Sequence, residues 1–187
     1  MEKINEEYLT IEEYQFKNGM AKEIIYSGIG QYESVLHFGA CDNELYFLET
    51  LDELGLDIQY TAVDVKEEIG TLFTRFEPME RTQPWISIQE SMQEHLDNIT
   101  TERYNWTIIT GTFDKPIYSE RQYQFIDTIV RSCLDISDNV LFTLSEQPTP
   151  IYKYSVVYLF QHLTQLYSKV MVKKVEEGRY IFCINNY

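Results

Sequence analysis

Residues 170–184 read VMVKKVEEGRYIFCI, and this stretch decides how the rest of the chain is arranged. Two strand-like runs, Val170 to Val175 and Tyr180 to Ile184, flank the connector Glu176-Glu177-Gly178-Arg179. So short a connector holds no crossover, so the two strands pair antiparallel as a hairpin. Everything upstream follows a different rule. Ser34 to Phe38 is a short apolar run that suits a buried strand. After it, Asp42 or Asn43 can cap a helix with Leu45, Leu48, Leu51 and Leu54 on one face, and Gly55 stops it.

The alternation continues. Ile58 to Val65 is β-like, and 66–76 is helical with an interruption at Gly70. Trp85 to Ile88 is a weaker strand before a helix from Met92 to Thr101. Trp106 to Thr110 is a β-branched strand stopped by Gly111. Residues 119–135 form a helix with Ile126, Ile129, Val130, Cys133 and Leu134 on one side. Val140 to Leu144 is a buried strand, and Pro148 and Pro150 precede a helix over about 152–167. The N-terminal residues 1–34 carry two helical pieces divided near Asn18-Gly19, then a turn at Ser27-Gly28-Ile29-Gly30. Strand-helix units repeated about five times before a hairpin predict a parallel sheet covered by helices, with an antiparallel edge.

Bulk composition narrows the class. A chain of 187 residues, 44% hydrophobic and 24% charged, is globular and fits one domain. No run of about eighteen apolar residues predicts a membrane span, and the acidic start MEKINEEY is unlike a signal peptide. Cys41, Cys133 and Cys183 lie far apart without a CxxC, as expected of reduced thiols in a cytoplasmic protein. The net charge of −15 and the lack of a basic cluster beyond Lys173-Lys174 disfavour nucleic acid as a partner. His37, His95 and His162 have no zinc-ligand spacing, so no metal is expected. GxSxG, P-loop and His-Glu-x-x-His motifs are absent.

With the hairpin in place, the pattern over roughly residues 20–187 resembles the class I S-adenosylmethionine-dependent methyltransferases. That resemblance implies an α/β Rossmann-like sandwich: a mostly parallel seven-stranded sheet with a C-terminal antiparallel hairpin and helices on both faces. A nicotinamide-binding Rossmann domain shares the first half of the pattern, but the hairpin and the missing GxGxxG argue against it. Residues 1–187 are then expected to form one domain, with 31–187 as the Rossmann-like core and 1–30 as a helical lid. Asn18, Gly19, Tyr26 and Ser27 would lie near the ligand.

The family's first motif, an apolar strand, an acid and a glycine-rich turn, lies over VLHFGACDN at 35–43. Gly39 takes the first glycine position, Cys41 the second and Asn43 the third, while His37 replaces the acid. The turn must let backbone approach the cofactor without a Cβ in the way, which Gly39 meets and the small Ala40 eases. Asp42 is a candidate substitute for the missing acid. Asp64, twenty-five positions after Gly39, ends the second strand, where a carboxylate suits the two ribose hydroxyls. It also stands where it would cap a helix beginning at Lys66, and both readings are open. Val65 follows it. The resemblance puts the adenine contact within Gln89-Glu90-Ser91.

After the fourth strand, TIITGTFDKP lacks the (Asp/Asn)-Pro-Pro-(Tyr/Phe) stretch of base-directed amino-group methyltransferases. Thr110, Gly111, Thr112 and Phe113 are candidates for a floor beneath the sulfonium. Methyl transfer needs mainly proximity and alignment, so a general base is optional. Asp114 and Glu146 would be its nearest candidates by strand-end position. The implied cofactor is S-adenosyl-L-methionine, as a small-molecule methyl donor, and the implied substrate is a small molecule or a protein. The alternative is a methyltransferase-like scaffold without chemistry that serves as a binding or assembly partner.

Overall fold

The computed structural model describes residues 11–40, 44–74, 82–99, 102–113, 121–145, 156–176 and 178–186. Along the chain run α1 (Ile11–Tyr26), β1 (Ser34–Phe38), α2 (Glu44–Glu53), β2 (Gln59–Asp64) and a 3-10 segment (Glu67–Thr74). These are followed by β3 (Trp85–Gln89), α3 (Met92–Asn98), β4 (Tyr104–Ile109), α4 (Arg121–Ile136) and β5 (Ser137–Ser145). The chain then forms α5 (Val156–Leu166), β6 (Lys169–Glu176) and β7 (Arg179–Asn185). Asp42, Asn43 and Cys41 lie outside the described residues, as do Asp114 and Glu146.

The strands form one seven-stranded sheet in the order β3-β2-β1-β4-β5-β7-β6. β1 to β5 are mutually parallel, whereas β7 runs antiparallel to both β5 and β6. The terminal hairpin therefore closes one edge, as its connector requires. Because side chains alternate along a strand, each strand feeds two separate cores. Val35, Tyr60, Ala62, Trp106 and Ile108 pack beneath α1, α2 and Ile69 of the 3-10 segment. Leu36, Phe38, Val63, Ile109 and Phe142 pack on the opposite face against α4 and α5, with Met92 and Leu96 of α3 alongside. The central strands β1 and β2 are buried on both faces, whereas edge strand β3 is only partly covered and β6 is mostly exposed.

Two elements depart from the sequence expectation. α1 is one continuous helix through Asn18-Gly19. Burial of Met20, Ala21, Ile24 and Ile25 in the core offsets the poor helix propensity of Gly19. This burial makes α1 a layer of the sandwich. Residues 67–74 wind as a 3-10 segment. Ile69 is fully buried there while Gly70 stays exposed.

α2 ends as its sequence promises. Gly55 has φ +65° and its N–H bonds Asp52 O, while Leu56 N–H reaches back to Leu51 O at 2.9 Å. This pair of bonds is a Schellman cap. Nothing lies within 4 Å of where a Gly55 Cβ would sit, so only the backbone conformation opposes a side chain. Gly55→Ala is accordingly expected to cost about 1–2 kcal/mol, read as a fall of about 2–8 °C in Tm.

Candidate functional site

The strand order reverses at β1, which has β2 on one side and β4 on the other. In open α/β sheets ligands bind at such a switch point, outside the carboxyl ends of the strands. A cleft of about 290 Å³ lies there, walled by Gly39, Val63, Asp64, Val65, Lys66, Glu90, Met92, Thr110, Gly111 and Thr112. That volume is close to the lower end of the roughly 300–1,000 Å³ typical of ligand pockets. Seven residues that the sequence nominated wall the cleft: Gly39, Asp64, Val65, Glu90, Thr110, Gly111 and Thr112.

Gly39 ends β1 with φ +71°. Its N–H donates to Val63 O at 3.1 Å, and Thr110 N–H donates to Phe38 O at 3.0 Å, so the turn is stitched to both neighbouring strands. A Cβ on Gly39 would stand 2.1 Å from the carbonyl oxygen of Thr110. The glycine is therefore demanded by the close approach of β4 and by a left-handed φ. A side chain at 39 would thus meet the backbone that follows β4.

On the far wall, Asp64 ends β2 and its Oδ1 accepts the Lys66 N–H at 3.1 Å. The capping role is thus real. A carboxylate carries about four lone-pair positions, more than a single cap occupies. Glu90, at the end of β3, accepts from His95 Nδ1 through its Oε1. His95 is buried on α3, with its ring edge-on to Phe38 at 5.6 Å between centroids. Among the described residues no partner meets His95 Nε2. The pair holds one Glu90 oxygen away from the cleft.

Thr110, Gly111 and Thr112 make the wall next to β4. Gly111 has φ +70°, and Thr112 N–H bonds Thr110 O at 2.8 Å across it, a three-residue turn that favours glycine. Phe113 turns the other way, 1% exposed against Phe142 and Phe125, so its aromatic face belongs to the core and not to the cleft floor.

The remaining nominees stand behind the wall. Ala40 is fully buried. Ser91 is the N-cap of α3: its hydroxyl accepts Glu94 N–H at 3.2 Å, and Glu94 Oε2 accepts Ser91 N–H at 2.9 Å. The Ser91 hydroxyl and then its backbone N–H, both donating to Glu94 Oε2, hold the Glu94 carboxyl below its usual range. His37 is completely buried between Phe47 and Tyr60, and burial pushes its pKa from 6.5 down to about 3. Tyr26 and Ser27 line a different cavity, of about 640 Å³, beside β6 and β7. Tyr26 and Ser27 therefore belong to that cavity's wall and not to the cleft's.

The sequence missed Lys66 and Met92, although each lies within three residues of a nominated strand end. Asp64 and Glu90 against Lys66 give the cleft an acidic balance, which suits a cationic ligand. Among the described residues no group of three or more His, Cys, Asp or Glu could hold a metal.

No family model matches the sequence, and no curated protein matches it. Solved structures do match by shape. Magnesium protoporphyrin IX methyltransferase from Synechocystis PCC 6803, with bound SAH, has a TM-score of 0.61 at 10% identity, over 92% of this chain and 82% of that one. A methyltransferase from Pyrococcus furiosus gives 0.59 at 13% identity, over 89% and 82%. Human methyltransferase-like protein 13, in complex with SAH, gives 0.57 at 11%, over 93% and 81%. Likeness at such low identity is a likeness of architecture, and strand order, closing hairpin and two-faced helical cover all agree with it: the chain has the class I methyltransferase fold.

Proposed function

We propose that this chain is an S-adenosyl-L-methionine-dependent methyltransferase whose adenosyl group lies across the carboxyl ends of β1 and β2. One observation carries the reading: Gly39 and Asp64, from different strands, wall the same cleft at the switch point. The carboxylate of Asp64 would accept from the two ribose hydroxyls, and Glu90 would meet the adenine side. Thr110, Gly111 and Thr112 would face the sulfonium end, where carbonyl and hydroxyl oxygens favour positive charge. The group transferred is a methyl cation equivalent: the acceptor's lone pair forms the new bond as the carbon–sulfur bond breaks, leaving neutral S-adenosylhomocysteine (SAH). Such a displacement depends on alignment, and the chain's contribution is to hold donor and acceptor in line.

The acceptor is proposed to be a small molecule or a protein, since a net charge of −15 opposes phosphate binding. A single domain over residues 1–187 and a cytoplasmic setting complete the proposal. Cys133 and Cys183 are unpaired and buried, and burial pushes their pKa up to about 12 and about 11, so both thiols are inert. No helix among the described residues is long and apolar enough to cross a membrane.

Thermal melting with and without ligand tests the reading. At about a hundred times its Kd, a ligand adds roughly 2.7 kcal/mol. For this length the expected rise in Tm is about 5–11 °C. Absence of any rise with millimolar S-adenosylmethionine or SAH would instead favour the scaffold reading.

A further inference from the structure

The position where the methyltransferase motif carries an acid holds His37, and its neighbours fix where its proton sits. Nδ1 lies 2.6 Å from the Tyr60 hydroxyl and Nε2 lies 2.9 Å from Thr110 Oγ1. Thr110 Oγ1 in turn lies 2.9 Å from the carbonyl oxygen of Gly39. A carbonyl only accepts, so the single hydroxyl proton of Thr110 goes to Gly39. Thr110 Oγ1 must then accept from His37, which places the ring proton on Nε2. Nδ1 is left as the acceptor for the Tyr60 O–H. The polarity runs one way, from Tyr60 on β2, through His37 on β1, to Thr110 after β4 and back to the turn.

We propose that Tyr60, His37 and Thr110 form a neutral, one-directional hydrogen-bond relay that positions the Gly39 turn for the adenosyl ligand. The ligand half of this inference rests on the methyltransferase reading. His37 is a positioning residue: it lies wholly beneath the cleft wall. Its effect reaches the cleft through Gly39, whose N–H is held by Val63 O and whose carbonyl is held by Thr110. With both groups anchored, the left-handed conformation of Gly39 is fixed before a ligand arrives.

The relay also explains why a histidine serves where an acid is usual. A carboxylate only accepts, so an aspartate at 37 would draw the Thr110 proton to itself and release the Gly39 carbonyl. Restoring the acid by His37→Asp should therefore weaken the turn. His37→Gln offers an amide N–H near Nε2 and an acceptor oxygen, and keeps the direction of the chain.

Two measurements test this. The first needs no ligand: long-range ¹H–¹⁵N NMR of the imidazole should show the neutral Nε2–H form of His37 from about pH 5 to 8, where an ordinary histidine titrates. An imidazolium, or the Nδ1–H form, overturns the relay.

The second is calorimetric titration of SAH into the parent and four variants, each first shown to be folded by circular dichroism. Thr110→Val and His37→Asp should weaken SAH about tenfold, the size of one hydrogen bond. His37→Gln and Tyr60→Phe should stay within about threefold, because each keeps the Thr110 bond to Gly39. A mere packing role would instead make Tyr60→Phe and Thr110→Val alike, and Thr110→Val binding like the parent also overturns the inference. A parent chain that binds no SAH refutes the methyl-donor reading and the relay's ligand role together. The NMR result still decides the hydrogen-bond order by itself.

Discussion

Gly39→Ala is expected to destabilise the fold by about 2–5 kcal/mol, lowering Tm by at least about 4 °C. Two separate terms add. The backbone at 39 has φ +71°, where a side chain costs about 1–2 kcal/mol. The new methyl would also sit 2.1 Å from the Thr110 carbonyl oxygen, an atom held by the Thr112 N–H in the turn that follows β4. Relief requires the two strands to part at their carboxyl ends, an overpacking cost of about 1–3 kcal/mol. Gly55→Ala is the control: its φ is +65°, yet the space around it is open, so only the first term applies. Urea or thermal unfolding of both variants measures the difference. Equal losses at 39 and 55 would mean that β4 does not crowd Gly39. Because the forced parting opens at the cleft, Gly39→Ala should also lose the Tm rise with S-adenosylmethionine.

Asp64→Ala is expected to weaken S-adenosylmethionine by about a hundredfold or more. Each hydrogen bond to a charged acceptor contributes about 1.5–3 kcal/mol, and the ribose diol makes two. The same variant removes the acceptor for Lys66 N–H, a loss of about 1 kcal/mol in the ligand-free protein. Asp64→Asn separates the two roles, since its amide oxygen still caps Lys66 while the charge is gone. Loss of ligand binding in both variants, with loss of stability only in the alanine, supports the ribose contact. If both variants keep a full ligand-induced rise in Tm, Asp64 is a cap and the sugar is held elsewhere.

The element pattern was legible because it is written locally. Alternating apolar runs marked all seven strands, and Gly55 and the 176–179 connector marked where the chain stops or turns. The strand-end positions followed, and so seven nominated residues share one cleft. Less legible was what each residue does there. Ser91 reads equally as an adenine contact or a helix cap, and it caps α3 within a capping box. Phe113 follows Thr112 in a turn that can point either way, and packing against Phe142 took it inward. Gly19 resembles a break, yet α1 runs through it because its flanking apolar residues are buried.

The sequence alone therefore determined the class of fold, since periodicity and connector length restrict which strands pair and in which direction. Tertiary structure decided why Gly39 must be glycine, where His37 carries its proton, and which wall each acid joins. Those answers depend on Thr110, 71 positions from Gly39 and 73 from His37, brought alongside by strand pairing. Contacts at such separation leave no local period to read, because the neighbour's identity is fixed only when β4 takes its place beside β1.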